Sequence, residues 1–288
     1  MKTQKMVWWT VPMLVAAACL VLGSPAKADT TLTDVNSTAS FDTDGGLGMW
    51  DWTVDGIDHM AQQWFWYRVG PTGPEAPLAN GGGLVFVGEI ASNGDFDPGN
   101  ENLALRYLAA NGTFQIDVNF NLSGGTVGSN ASDISEVITI TNLTGSSLDF
   151  HFFQYSDFDL GGTVSDLSAR IGVDGSGKPY VADQWDASFV MSETTENPSA
   201  AHAEVNFFAN TVLALGDGGT TTLNDVLGPL GPGDLTWAFQ WDFVLGPDGT
   251  FHLSKDKQVR PFIPEPMTMA GLVLGIGALA GYVRRRAA

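Results

Sequence analysis

The stretch that decides the fold runs from residue 236 to residue 253: Thr236-Trp-Ala-Phe-Gln-Trp-Asp-Phe-Val-Leu-Gly-Pro-Asp-Gly-Thr-Phe-His-Leu253. Trp237, Phe239, Trp241, Phe243 and Leu245 alternate with Thr236, Ala238, Gln240 and Asp242. A period of two puts one set on each side of an extended strand, so this is a strand with an apolar face. Gly246-Pro247-Asp248-Gly249 is turn chemistry, because Pro fixes φ and Gly tolerates φ > 0. Phe251 and Leu253 then alternate again, and the whole reads as a hairpin.

The same pattern recurs upstream. Phe114, Ile116, Val118, Phe120 and Leu122 share a face, and Asn111-Gly112 joins them to the run Leu103–Leu108 as a second hairpin. Further strands are expected at 49–54, 62–69, 84–90, 136–141, 148–155, 187–192 and 203–208. Trp64-Phe65-Trp66-Tyr67 is aromatic on both sides and therefore central, covered on both faces. The doublet Phe152-Phe153 interrupts an alternation and predicts a bulge. Only 210–215 reads as a helical turn. The expected fold is all-β, a single antiparallel β-sandwich of jelly-roll type over residues 29–263.

The two ends differ from this body. Lys2 and Lys5, the uncharged run Val7–Leu22 and Ala26-Lys27-Ala28 form a signal peptide over 1–28, with Ala26 and Ala28 as the signal-peptidase site. The single cysteine, Cys19, lies inside it, so no disulfide or CxxC metal site is available to the body. At the other end, Pro264-Glu265-Pro266 precedes the uncharged run Met267–Val283 and the cluster Arg284-Arg285-Arg286. Those 17 residues make a short membrane helix of about 26 Å at 1.5 Å per residue. The arginines keep its end cytoplasmic and the body exported.

This three-part tail, 264–288, resembles the PEP-CTERM sorting signal of Gram-negative bacteria. The resemblance implies recognition and processing by exosortase, transient anchoring in the inner membrane through the C-terminal helix, and delivery to the cell surface or extracellular matrix, often alongside exopolysaccharide. The segments 52–68 and 138–160 are similar to bodies found on other such proteins, whose function is unassigned.

The chain has 288 residues and a net charge of −19. The body alone holds 7 of the 13 Lys+Arg and 31 of the 32 Asp+Glu, about −24. With so few cations, nucleic acid is excluded as a partner. No GxSxG elbow or Walker loop occurs, and Asp174-Gly175-Ser176-Gly177-Lys178 is a turn. Asp149 and His151 share a strand face, yet four scattered histidines give no zinc spacing.

Three acidic loop pairs, Asp42 with Asp44, Asp95 with Asp97 and Asp157 with Asp159, offer the hard oxygens that Ca²⁺ takes, although Asx turns have the same composition. Trp50, Trp52, Trp64 and Trp66 invite stacking on pyranose rings, and equally fit core packing. The expectation from sequence is a non-enzymatic surface or matrix protein, structural or adhesive in exopolysaccharide. A calcium-assisted carbohydrate-binding module is the second reading, and a polysaccharide-processing enzyme using two carboxylates the third.

Overall fold

A computed structural model describes residues 29–79, 81–165 and 167–263. The signal peptide and the tail, including Pro264, Glu265, Pro266 and the arginine cluster, lie outside the described residues. Among the described residues no helix is long and apolar enough to cross a membrane.

In chain order the strands are β1 (Thr30–Asp34), β2 (Ser37–Asp42), β3 (Gly48–Val54), β4 (Ile57–Asp58), β5 (Gln62–Val69) and β6 (Ala76–Pro77). Then come β7 (Leu84–Ser92), β8 (Asn102–Ala109), β9 (Phe114–Gly124), β10 (Ser132–Asn142) and β11 (Leu148–Asp157). A 3₁₀ turn at Leu160–Gly162 leads to β12 (Leu167–Val173), β13 (Pro179–Trp185), β14 (Phe189–Asn197) and β15 (His202–Phe207). After α1 (Asn210–Gly216) follow β16 (Leu230–Gly233), β17 (Leu235–Leu245) and β18 (Thr250–Pro261).

They form two antiparallel sheets of nine strands each. The first has the order β1-β2-β3-β5-β11-β17-β15, with β4 on β3 and β6 on β5. The second has the order β16-β12-β13-β14-β18-β10-β9-β8-β7. The all-β sandwich is as expected, but it is larger than an eight-stranded jelly roll.

Asn111-Gly112 joins β8 to β9 as a true hairpin, with Leu105 opposite Val118. The stretch 236–253 behaves differently. Its strands, β17 and β18, belong to different sheets: β17 pairs with β11 and β15, and β18 with β10 and β14. The Gly246–Gly249 turn closes with its own backbone bond at 2.9 Å and carries the chain across the sandwich. Phe243 and Phe251 stack across the corner at 3.7 Å between ring centroids. The two apolar faces therefore meet as opposite walls of the core.

Between the sheets the rings form one aromatic layer. Phe41 and Phe65 approach Phe120 at 4.8 and 6.4 Å, and Tyr67 meets Phe114 at 5.4 Å. Such ring pairs contribute about 0.5–1.5 kcal/mol each beyond their buried area. The layer also encloses an ionic cluster. Lys255 and Lys257 face inward from β18; Lys255 bonds Glu136, Glu193 and Gln154, and Lys257 bonds Glu136 and Gln63. All four charged residues are buried. Burial opposes ionisation of Glu136, yet the two ammonium groups hold its carboxyl below the usual range. Two lysines against two glutamates leave the core neutral, which is the condition for burying charge at all.

The opposite, outer face of the first sheet is covered as well. Trp64 Nε1 donates to the Leu78 carbonyl at 2.7 Å, the Arg68 guanidinium bonds Glu75 and the Thr221 carbonyl, and Gln240 Oε1 accepts the Leu223 N–H at 2.9 Å. The segments around 70–75 and 210–227 thus lie over β5, β11 and β17, while 76–78 runs along the edge of β5 and pairs with it. This double covering accounts for Phe152-Phe153. The register of β11 runs without a shift against both neighbours, so no bulge occurs there; Phe152 faces the core and Phe153 the covered outer side. Gly48 makes a similar close approach possible. At φ +77° it lies under Trp64, and a Cβ would fall 2.2 Å from that ring.

Candidate functional site

At one end of the outer face, three carboxylates converge. Asp157 ends β11, where it lies opposite Gln62 of β5 and Thr236 of β17. Asp159 follows in the link to the 3₁₀ turn, and the N–H of Gly162 closes that turn on the Asp159 carbonyl at 2.8 Å. Asp234 precedes β17, its carbonyl accepting the Phe208 N–H at 3.1 Å. One ligand oxygen from each lies within 4.8 Å of the others.

They line a cavity of about 360 Å³. Leu47, Val164 and Phe208 give it an apolar side, and Gln62 and the aspartates a polar one. Phe208 is 55% exposed, so its ring has a free face. Asp157 is only 4% exposed, and its Oδ1 accepts no hydrogen bond. Burial, then the charges of Asp159 and Asp234, push the Asp157 carboxyl up to about 7. Burial and the charges of Asp234 and Asp58 push Asp159 up to about 6. Burial raises Asp234 too. At neutral pH the pocket therefore holds a mixture of acid and carboxylate, the state that proton transfer requires.

Of the acidic pairs singled out in the sequence, two acquire a third carboxylate. Asp157 and Asp159 gain Asp234; Asp95 and Asp97, both exposed, gain Asp34. The Asp95 loop is nevertheless organised by its own turns: Asn93 Oδ1 accepts the Asp95 N–H at 3.1 Å, and Asp95 Oδ1 the Asp97 N–H at 2.8 Å. Asp42 belongs to no such group; its two oxygens accept the N–H groups of Gly45 and Leu47, so the Asp42–Asp44 pair is a turn.

The sugar-stacking assignment needs correction. Trp52 and Trp64 have no exposed surface and Trp66 has 5%, leaving no face for a ligand. Trp52 is in the core; Trp64 and Trp66 lie under the cover of the outer face, Trp66 edge-on to Tyr155 at 6.0 Å. Trp50 alone is exposed, because the register of β3 shifts against β2 between Ser40 and Phe41 and turns it outward. The exposed ring beside the carboxylates is Phe208, which the alternation of 203–208 places on a strand without indicating its role.

Six residues along β11 lies a second constellation, of which sequence spacing joined only Asp149 and His151. His151 Nδ1 contacts Asp242 Oδ1 at 2.6 Å, while its Nε2 is 3.6 Å from Asp149. His202 Nε2 is 3.7 Å from the other oxygen of Asp242, and its Nδ1 is 2.8 Å from Asp225. Asp242 thus stands between two imidazoles brought together by the pairing of β11, β17 and β15.

No protein-family model matches the sequence, and no curated protein matches it. Solved structures do share its architecture. A bacterial glucoamylase complexed with acarbose superposes with a TM-score of 0.52 at 9% identity over 84% of this chain, which spans about a third (32%) of the glucoamylase. A putative aldose 1-epimerase from Escherichia coli K12 gives a TM-score of 0.48 at 10% identity, over 82% of this chain and 99% of that one. A galactose mutarotase-like protein from Lactobacillus casei gives 0.45 at 10% identity, over 82% and 100%. The expectation of a protein without enzymatic activity is overturned here: it rests on missing motifs, and the fold of this chain is found within an enzyme, the bacterial glucoamylase, over about a third of its length.

Proposed function

We propose that the chain is an exported, saccharide-directed protein of the cell surface, and that it meets its saccharide in the pocket of Asp157, Asp159, Asp234 and Phe208. The observation that carries this reading is an exposed aromatic ring beside three carboxylates in one cavity. A pyranose ring offers an apolar face to Phe208 and hydroxyl donors to the aspartates, so both halves of the pocket are used. With Asp157 protonated and Asp159 ionised near neutrality, the pocket supplies an acid and a base to a glycosidic or anomeric oxygen. The bacterial glucoamylase that shares the fold over about a third of its length, solved in complex with acarbose, lends this support.

Delivery is a separate part of the proposal. It rests on the signal peptide and on the PEP-CTERM-like tail with its membrane helix, and it makes signal peptidase and exosortase the processing partners and exopolysaccharide the neighbouring material. Adhesion within that material follows from the same pocket.

The test is binding of a glycan array and of exopolysaccharide by the full chain, with release of reducing ends read in parallel. Phe208→Ala and Asp157→Asn are expected to weaken binding at least tenfold while thermal melts stay cooperative. Binding that is absent in the wild type, or unchanged in both variants, would remove the saccharide reading. If deletion of residues 264–288 leaves location and C-terminal processing as they were, the delivery reading fails independently.

A further inference from the structure

We infer that Asp157, Asp159 and Asp234 form a single divalent-cation site of the calcium type, built into this pocket. The inference takes the pocket from the saccharide reading and rests on that reading only for the occupant of the ion's remaining ligand positions.

Three observations lead to it. The oxygens of three residues, two of them adjacent in the chain fold and the third 75 positions on, are brought within 4.8 Å of one another. An ion with calcium–oxygen distances of 2.3–2.6 Å touches donors spaced by up to about 5 Å, so one ion reaches all three. Asp157 is 4% exposed, lines the cavity and has an oxygen without a hydrogen-bond partner. A buried carboxylate oxygen left without a partner is costly, and a cation at this point satisfies it. Finally, none of the three is ion-paired to Lys, Arg or His among the described residues. Their mutual repulsion is relieved by a proton or by a cation.

The donor set selects the metal. All three ligands are hard oxygens, and the trio includes neither imidazole nor thiolate, which disfavours zinc and copper. Mg²⁺ takes the same donors but demands bonds of about 2.0–2.1 Å in octahedral geometry and keeps several of its waters. Three protein ligands leave about three to five positions of the calcium shell to water or sugar hydroxyls. The trio Asp34, Asp95 and Asp97, of which the last two are exposed, lacks an orphaned buried oxygen; there an oxygen of Asp95 accepts the Asp97 N–H and one of Asp34 the Gly124 N–H.

The experiment is calorimetric titration of Ca²⁺ into chelator-treated full chain at pH 8. Expected is a site for one ion that Asp157 and Asp234 govern. Asp234→Asn should weaken the affinity at least tenfold with a melt no lower than the wild type's in the absence of calcium, and Asp97→Asn should leave the affinity as it is. No binding by the wild type, or binding lost in Asp97→Asn and kept in Asp234→Asn, would each overturn the inference. Calcium binding as described, with no saccharide bound in either state, upholds it and removes the saccharide reading. Saccharide binding indifferent to calcium, with no ion taken up, does the reverse.

Discussion

Asp157→Asn separates the charge of the pocket from its shape. Burial first, and the neighbouring Asp159 and Asp234 second, raise the Asp157 carboxyl from an ordinary 3.8 to about 7. Over the interval between those values the folded protein holds a proton that the unfolded chain has released. The stability linked to that proton is full below about 3.8, falls as pH rises from there, and is lost once pH has passed about 7, the reverse of a salt-bridged carboxylate. From pH 5 to pH 8.5, at 1.36 kcal/mol per pH unit of displacement, the linkage relation gives about 3 kcal/mol for this group. Asparagine has nearly the shape of the neutral acid and does not titrate.

Urea unfolding of both proteins in calcium-free buffer at pH 5, 6.5 and 8.5 supplies the measurement. The quantity read is variant minus wild type, in which the other titrating groups cancel. The variant should be ahead already at pH 5, where the unfolded carboxyl is ionised, and its lead should grow by about 3 kcal/mol by pH 8.5, or about 6–12 °C in Tm for a domain of this size. Asp159, also raised, adds to the wild-type trend in the same direction and is common to both proteins. A difference that stays constant from pH 5 to 8.5 would mean that Asp157 is ionised throughout, and the acid–base account of the pocket would fall with it.

Two further outcomes follow from buried titratable groups elsewhere. Lys257→Met leaves Glu136 and Glu193 sharing one ammonium inside the core; it should cost about 3–5 kcal/mol in urea melts, against at most about 1 kcal/mol for Arg106→Met, which breaks an exposed pair with Asp117. His59 is fully buried, accepts the Gly161 N–H at Nδ1 and is pushed down to about 4, chiefly by desolvation. The unfolded chain takes up that proton below about 6.5 and the folded protein refuses it, so stability is lost as pH falls from about 6.5 toward 4. His59→Phe should flatten that acid limb in pH-dependent melts while lowering stability uniformly through the lost Gly161 bond.

What the sequence could and could not disclose follows from what a period of two measures. Alternation reports which residues share a face, and on that basis the apolar faces of 114–122 and 237–245 were legible. It does not report whether the next strand lies beside that face or across from it. Phe243 and Phe251 would share a face in a hairpin and do face each other in the sandwich, so the Gly246–Gly249 turn reads identically for both. The rule fails differently where both faces are covered. In β5 and β11 every position is apolar or bonded, and a doublet such as Phe152-Phe153 imitates a bulge although the register is continuous. Trp64 and Trp66 were ambiguous for the same reason: their cover comes from segments with no periodicity, around 70–79 and 210–227, and nothing in an aromatic pair says whether a loop will lie over it. The pocket was half visible. Asp157 and Asp159 stand two apart and could be paired on paper, whereas Asp234 comes within reach only because β17 runs antiparallel to β11 and starts where β11 ends. Lys255 and Lys257 show the limit most clearly, since two lysines in alternation look like a solvated face. Leu253 and Val259, buried on the same side of the same strand, point the other way. A charged residue in phase with buried apolar neighbours has to find a partner across the core, and here the partners are Glu136 and Glu193, each likewise in phase with the buried residues of its own strand. Reading phase before polarity would have placed all four inside.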